Sequence, residues 1–193
     1  MIPIRQELEI EFKNLLSEQE YLSLFTHYAS AKQPIWQAND YFDTPDFELR
    51  KKGAALRIRE KKQGLVLTLK QPHENGLLET HVTLSASEAE DLFKYGLLHS
   101  DEMNQQLSSF DLQGSLEHLG RLETERIETT LPEGLLVLDK SRYLGHTDYE
   151  LEFEVSNFEQ GQKDFERLLS EHDIPQRETK NKIVRFMERK ALT

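Results

Sequence analysis

The chain has 193 residues, and its 24 Lys and Arg against 35 Asp and Glu give a formal net charge of −11. A hydrophobic content of 37% excludes a chain that is disordered throughout, and the absence of cysteine excludes disulfides, thiolate zinc sites, iron–sulfur clusters and cysteine nucleophiles. The acidic balance disfavours duplex nucleic acid, because such binding depends on Lys and Arg that neutralise phosphates; taken by itself, it also disfavours phosphate ligands.

The first half of the chain is dominated by predicted strands. Residues 6–13 alternate polar and apolar side chains, which is typical of a strand. Ser17 and Glu20 have the spacing of a capping box and predict a helix through about His27. Further extended segments are predicted at 35–42, 54–61, 65–71 and 76–84, with turns at 43–46, 62–64 and 73–76.

The second half begins and ends with predicted helices. Helical periodicity predicts helices over 85–95, after a cap at Ser85 or Ser87, and over 100–110. An antiparallel meander is predicted at 121–131, 135–144 and 148–155, followed by helices at about 162–172 and 179–190. This order indicates an α+β fold with a mostly antiparallel sheet. We expect one domain over residues 1–193, with a helical insert at about 85–118 and C-terminal helices at about 162–190.

Each predicted strand has one apolar face and one ionic face, because alternate residues of a strand share a side. An ordinary sheet with its ionic face in water would explain one such strand, but two strands with E-x-E and one with R-x-R have poor strand propensity as solvated faces. Paired carboxylates suit a hard divalent cation, and paired arginines suit phosphate. If the sheet curls with this face inward, one polar lumen holds both sets, and helices cover the apolar exterior.

The residues of the first strand resemble a known signature. Glu9-Ile10-Glu11-Phe12-Lys13 resembles the E-x-E-x-K motif of the CYTH superfamily, also called the triphosphate tunnel metalloenzymes. The order of the later motifs is similar to that family over roughly residues 5–187. The resemblance implies a closed, antiparallel, eight-stranded β-barrel or tunnel with a polar lumen and flanking helices. The later motifs are Arg57-Ile58-Arg59, Thr68-Leu69-Lys70, Glu79, Thr124-Glu125-Arg126, Leu138-Asp139, Tyr149-Glu150-Leu151-Glu152, and a basic helix with Lys182 and Arg185.

The resemblance also implies roles for individual residues. Lys13, Glu9 and Glu11 correspond to the catalytic signature, and Glu79 to an acidic supporting residue. Glu154 leaves open whether the second carboxylate pair is 150/152 or 152/154, and the E-L-E wording favours the former. The implied ligands of Mg²⁺ or Mn²⁺ are Glu9, Glu11, Glu150, Glu152 and Asp139, and the implied phosphate-binding residues are Arg57, Arg59, Lys70, Arg126, Lys182 and Arg185.

The expected activity is metal-dependent hydrolysis of inorganic triphosphate or a small organic triphosphate. A class IV-type adenylate cyclase, which forms cyclic AMP and pyrophosphate from ATP, needs the same residues and stays open, as does a non-catalytic polyphosphate- or nucleotide-binding protein. His81 shares the strand face of Glu79 and is either a ligand, a base or a structural residue. We expect a cytoplasmic monomer or homodimer whose partner is a small triphosphate, with no nucleic-acid or membrane partner, since no apolar run reaches the length of a membrane span.

Overall fold

The structure, a computed structural model, describes residues 5–74 and 76–192. Asn75, in the predicted turn at 73–76, lies outside the described residues. The described strands are β1 (Arg5–Leu16), β2 (Ile35–Asp43), β3 (Ala55–Lys61), β4 (Gly64–His73), β5 (Gly76–Leu84), β6 (Glu117–Leu131), β7 (Gly134–Tyr143) and β8 (His146–Val155). The described helices are α1 (Glu18–Ala29), α2 (Glu48–Lys51), α3 (Ala86–Tyr95), α4 (Asp101–Ser108), α5 (Phe158–Glu171) and α6 (Lys182–Lys190).

The strands form a closed barrel in the order β1-β5-β4-β3-β2-β6-β7-β8. Neighbouring strands pair antiparallel, for example β1 with β8 and β4 with β5. The predicted α+β fold with a closed eight-stranded antiparallel barrel and flanking helices is therefore confirmed. In the part of the chain that the structure describes, no helix is both long and apolar enough to cross a lipid bilayer.

The described residues divide into two compact units, one of residues 5–8 and 37–121, the other of residues 9–36 and 122–192. In the first unit, α3 and α4 pack on the apolar faces of β3, β4 and β5, where Leu56, Leu67 and Leu69 are fully buried. In the second, α1 and α5 pack on the apolar faces of β6, β7 and β8. Because helices cover these outer faces of a closed barrel, the alternate residues of the same strands point inward.

The predicted caps placed the starts of α1 and α3 correctly. Ser17 and Ser85 each begin a helix with a complete capping box, and Ser100 accepts a hydrogen bond from the Met103 amide at the start of α4. The predicted start of α5 at 162 is wrong, since the helix begins at Phe158 after an Asn157 cap. Gly161 reads as a helix breaker, but there it lets the helix lie against Val155, whose side chain a Cβ would meet at 2.4 Å.

Two further boundaries differ from the prediction. Helix α6 begins at Lys182 rather than 179, because the Thr179 hydroxyl accepts a hydrogen bond from the Leu15 amide and fixes that segment against β1. The four-residue helix α2 is not among the helices predicted from the sequence. The buried Asp43 carboxylate accepts hydrogen bonds from the amides of Leu49 and Arg50, so a residue six to seven positions upstream of these amides organises a helix too short to show periodicity.

The cap of α1 predicts an acid-sensitive contribution to stability. Glu20 accepts from the Ser17 amide at 2.7 Å and from two nitrogens of Arg177 at 2.9 Å each. The hydrogen bonds from Arg177 lower the pKa of Glu20, and burial opposes them only in part. A lowered carboxyl pKa stabilises the fold above the unfolded-state pKa, and this stabilisation is lost as the pH falls through the folded-state pKa.

We therefore expect Glu20→Gln to lower the free energy of unfolding by about 1 kcal/mol at pH 7, or about 2–4 °C in Tm. The difference from the unmodified protein should be smaller at pH 3, where protonation of the Glu20 carboxyl is favoured. Thermal unfolding followed by circular dichroism at both pH values measures it. Glu90→Gln, at an exposed pair with Lys94 on α3, is the control and should change Tm little at either pH. An equal loss for Glu20→Gln at pH 3 and pH 7 would contradict the ionic origin.

Candidate functional site

The ionic faces of the strands are buried. Asp139 is 0% exposed, Glu150 is 1% exposed and Arg57 is 8% exposed, although each lies on the side of its strand opposite the helix-covered core. Burying so many charges costs free energy that a solvated face would not, so a water-facing sheet is excluded. Further buried charged residues of these strand faces and of α6 are Glu79, Arg126, Glu152 and Arg185.

Three carboxylates of the second unit meet on β7 and β8. One oxygen each of Asp139, Glu150 and Glu152 lies within 4.8 Å of the others. Strand register accounts for this, since Asp139 pairs with Glu150 across the two strands and Glu152 follows two residues later on the same face. Arg126 on β6 completes the row, because it pairs with Asp139.

Cations of β6 and α6 hold these carboxylates. Arg126 donates from Nε to Asp139 Oδ1 at 2.8 Å and from Nη2 to Glu152 Oε2 at 2.6 Å. Lys182 Nζ lies 2.9 Å from Asp139 Oδ2 and 2.5 Å from Glu152 Oε1, and it also contacts Glu150. Lys182 therefore contacts all three acids, and as the first residue of α6 it links the start of this helix to β7 and β8.

A second cation of α6 is oriented by an acid that the sequence analysis missed. Arg185 donates to Glu150, and its Nε also donates to Asp148 Oδ2 at 3.0 Å. Tyr143 donates to the same Asp148 oxygen at 2.7 Å. The sequence contains the information needed to find this residue, because Asp148 lies two positions before Glu150 and therefore on the same face of β8. Asp148 thus fixes the direction of the Arg185 guanidinium.

The pKa values of this cluster follow from burial and pairing. Burial alone would lower the pKa of Lys182, but Asp139, Glu150 and Glu152 together raise it well above its ordinary value. Burial also favours neutral carboxyls, yet Lys182 and Arg126 hold the pKa of Glu152 far below its ordinary value. For Glu150, burial prevails over Lys182 and raises the pKa to about 7. The cluster therefore keeps one carboxyl that titrates near neutrality.

The signature strand β1 contributes Glu11 and Lys13, whose side chains bond to each other at 2.7 Å. Lys13 also donates to Asn181 Oδ1 at 2.9 Å. In the β1–β8 register, Lys13 pairs with Glu152 and Glu11 pairs with Glu154. Burial raises the pKa of Glu154 to about 7, with Glu152 and Glu11 adding to it and Arg126 opposing it. The residue directly opposite Glu11 on β8 is therefore Glu154 and not Glu150.

The first unit holds the remaining predicted cations. Arg59 donates from Nε to Asn39 Oδ1 at 3.0 Å, and Lys70 forms an ion pair with Glu79. Register pairs Arg57 with Thr68 and Lys70 with Glu79. Arg57, Arg59, Lys70 and Glu79 therefore belong to this unit, and the other unit contains Glu9, Glu11, Lys13, Arg126, Asp139, Glu150, Glu152, Lys182 and Arg185.

Comparison with known proteins identifies the family. Residues 7–187 match the family described as "CYTH domain". The chain belongs to the CYTH family. This CYTH chain is 46% identical over 187 residues to "Putative triphosphatase YjbK" of Bacillus subtilis, a match that covers 96% of the chain and 97% of the relative. The resemblance inferred from the E-x-E-x-K strand and the motif order is confirmed.

Two solved structures share the CYTH fold. One is the crystal structure of a "putative adenylate cyclase" from Bacillus halodurans, with 41% identity and a TM-score of 0.88, covering 94% of this chain and 98% of that one. The other, from Hippeastrum, is called a "putative adenylyl cyclase" with a dominant triphosphatase activity; it has 24% identity and a TM-score of 0.75, covering 94% and 95%. At 24% identity, the similarity to the Hippeastrum protein shows a shared fold alone.

The acids of the CYTH chain fit a hard divalent cation. Asp139, Glu150 and Glu152 supply only oxygen donors, which is the ligand type that such ions prefer. Burial raises the pKa of Glu150 and of Glu154 to about 7, and the neighbouring cations do not offset it. Acidic clusters able to hold a divalent metal are therefore present in the chain.

Proposed function

We propose that this CYTH chain hydrolyses inorganic triphosphate or a small organic triphosphate with the help of Mg²⁺ or Mn²⁺. The observation that carries the proposal is the buried array of Arg126, Lys182 and Arg185 against Asp139, Glu150 and Glu152. A protein retains so many buried charges where they act on a charged ligand, since apolar residues of similar volume would stabilise the fold as well or better.

The cations are the proposed phosphate ligands. Arg126, Lys182 and Arg185 in one unit, and Arg57, Arg59 and Lys70 in the other, offer N–H donors of the kind that bind non-bridging phosphate oxygens. Phosphoryl transfer needs positioned cations more than covalent help, so this donor set matches the chemistry. Glu79 supports Lys70, and Asp148 supports Arg185, by holding each cation in one direction.

The carboxylates are the proposed metal ligands. Glu9 and Glu11 of β1, together with Glu152 and its neighbours Asp139, Glu150 and Glu154, offer the oxygen donors. When bound, the metal neutralises phosphate charge and lowers the pKa of a coordinated water. Lys13 lies between Glu11 and Asn181, and we assign it to orienting the water or a terminal phosphate. The name of the Bacillus subtilis relative supports the hydrolytic activity.

The test offers the purified protein triphosphate, ATP and thiamine triphosphate with Mg²⁺ or Mn²⁺ and measures orthophosphate, pyrophosphate and cyclic AMP. We expect metal-dependent orthophosphate release from at least one triphosphate, and a loss of about 10²-fold or more in Arg126→Met, which removes a bidentate donor. Arg142→Met, at an exposed pair with Glu125 on the same hairpin, is the matched control and should keep full activity.

The other outcomes each replace the proposal. Cyclic AMP and pyrophosphate from ATP would assign the cyclase reaction, which the name of the Bacillus halodurans structure suggests for that protein. A triphosphate-induced rise in Tm without any product would assign a binding protein. Neither product nor a rise in Tm would remove triphosphates as ligands altogether.

A further inference from the structure

A second group of potential metal ligands lies in the first unit, apart from the acids proposed above as metal ligands. Glu7 on β1 and Glu79 and His81 on β5 each offer one donor atom, and these atoms lie within 4.8 Å of one another. His81 Nε2 is 3.1 Å from Glu7 Oε1 and 3.3 Å from Glu79 Oε2. We propose that Glu7, Glu79 and His81 bind a divalent transition-metal ion of the Zn²⁺ or Mn²⁺ class.

The spacing of the three donors matches a coordination sphere. Two ligands bonded to one ion at about 2.1 Å, with an angle between tetrahedral and right-angled, lie roughly 3.0–3.4 Å apart. Both distances from His81 Nε2 fall in this interval. A ring nitrogen carries at most one hydrogen, so the hydrogen bond between His81 Nε2 and Glu7 accounts for only one of the two contacts of that nitrogen.

Each of the three ligands is held from behind by a second residue. Thr68 Oγ1 lies 3.0 Å from His81 Nδ1, which fixes the ring and turns Nε2 toward the carboxylates. Lys70 takes the other oxygen of Glu79, and Arg5 takes the other oxygen of Glu7. Metal-binding histidines and carboxylates are ordinarily oriented by such outer contacts, so the group has the two layers of a built metal site.

The donor types select the ion. One imidazole nitrogen with two carboxylates suits Zn²⁺, Mn²⁺ or Fe²⁺, whereas Mg²⁺ and Ca²⁺ prefer oxygen ligands alone. Glu7 keeps 42% of its side-chain surface exposed, so an ion has a way in. Three protein ligands leave room for water or a phosphate oxygen. Unlike the all-oxygen acids around Glu152, the site would therefore select Zn²⁺ over Mg²⁺.

The experiment follows the seven histidines of the unmodified protein by long-range ¹H–¹⁵N NMR during addition of Zn²⁺ without any substrate. We expect His81 Nε2 to change its ¹⁵N shift with one equivalent of Zn²⁺ and to keep that change in a thousandfold excess of Mg²⁺. His99 pairs with Asp91 at 2.8 Å on the exposed surface of the first unit, and it serves as an internal control whose shift stays constant.

A paired substitution supplies the second readout. Calorimetric titration with Zn²⁺ should lose one strong equivalent in His81→Gln and none in His99→Gln. Binding that survives His81→Gln, a His81 shift that Mg²⁺ abolishes, or equal shifts of His81 and His99 would each overturn the proposal. If His81→Gln does not fold, the nitrogen shift of the unmodified protein decides alone. Because neither measurement uses hydrolysis, its result is independent of the proposed activity.

Discussion

Lys182→Met is expected to lower the free energy of unfolding by about 3–5 kcal/mol at pH 8, which is the usual cost of leaving buried charges without their partner. Lys182 is the ammonium that Asp139, Glu150 and Glu152 share, and the three acids are almost fully buried. Methionine keeps most of the volume and removes only the charge. Urea unfolding in the absence of metal measures the change.

The loss should shrink as the pH falls. Burial already raises the pKa of Glu150 to about 7, and removing Lys182 takes away the largest influence that opposes burial. A carboxyl whose folded-state pKa exceeds the unfolded one favours folding at low pH, and that contribution disappears as the pH rises through the folded-state pKa. We therefore expect the deficit of Lys182→Met to be much smaller at pH 5 than at pH 8.

The control is Lys180→Met, two residues earlier. Lys180 pairs with Glu188 at the surface, with 55% of its side chain exposed, so its loss should cost less than about 1 kcal/mol at either pH. Addition of Mg²⁺ tests whether the three acids also bind metal. Mg²⁺ should raise the Tm of Lys182→Met more than that of the unmodified protein. Triphosphate hydrolysis by Lys182→Met should fall about 10²-fold or more. An equal Mg²⁺ effect in both proteins would contradict a metal role for these three acids.

Much of the fold followed from the sequence because two signals are local. Side-chain parity identified the faces of β1, β3, β4 and β8. The predicted capping box at Ser17 and the predicted cap at Ser85 or Ser87 identified the starts of α1 and α3. The residues Glu150 and Glu152 stood out because alternate carboxylates are costly on any strand. Neither signal depends on what another part of the chain does.

The remaining features depend on strand register and distant contacts. Parity says that Glu11 and Glu154 lie on ionic faces, but only the pairing of β1 with β8 makes them neighbours. The network of Asp148, Tyr143 and Arg185 joins a hairpin to α6, and no spacing in the sequence predicts that contact. The net charge of −11 misled for the same reason, since it averages over the surface and does not register local groups of cations.

Register also bears on the second carboxylate pair. The Glu-Leu-Glu motif favours Glu150 and Glu152 as the pair, whereas the pairing of Glu154 with Glu11 favours Glu152 and Glu154. Glu150 already contacts the cations Lys182 and Arg185, whereas Glu154 lies directly across from Glu11 in the β1–β8 register. We therefore expect Glu154→Gln to reduce metal-dependent phosphate release by about 10²-fold or more, as Glu11→Gln does, and Glu150→Gln to reduce it by about tenfold or less.

The pH dependence of metal affinity provides an independent measurement. With burial as the main cause, the pKa of Glu154 stands at about 7, so below that value a proton competes with the metal. Mg²⁺ affinity, measured by calorimetry, should rise between pH 6 and pH 8 in the unmodified protein and rise less in Glu154→Gln. Glu128→Gln, an exposed acid on β6 that also acts on Glu154, is the control for lost negative charge. A larger loss of activity in Glu150→Gln than in Glu154→Gln would return the assignment to 150/152.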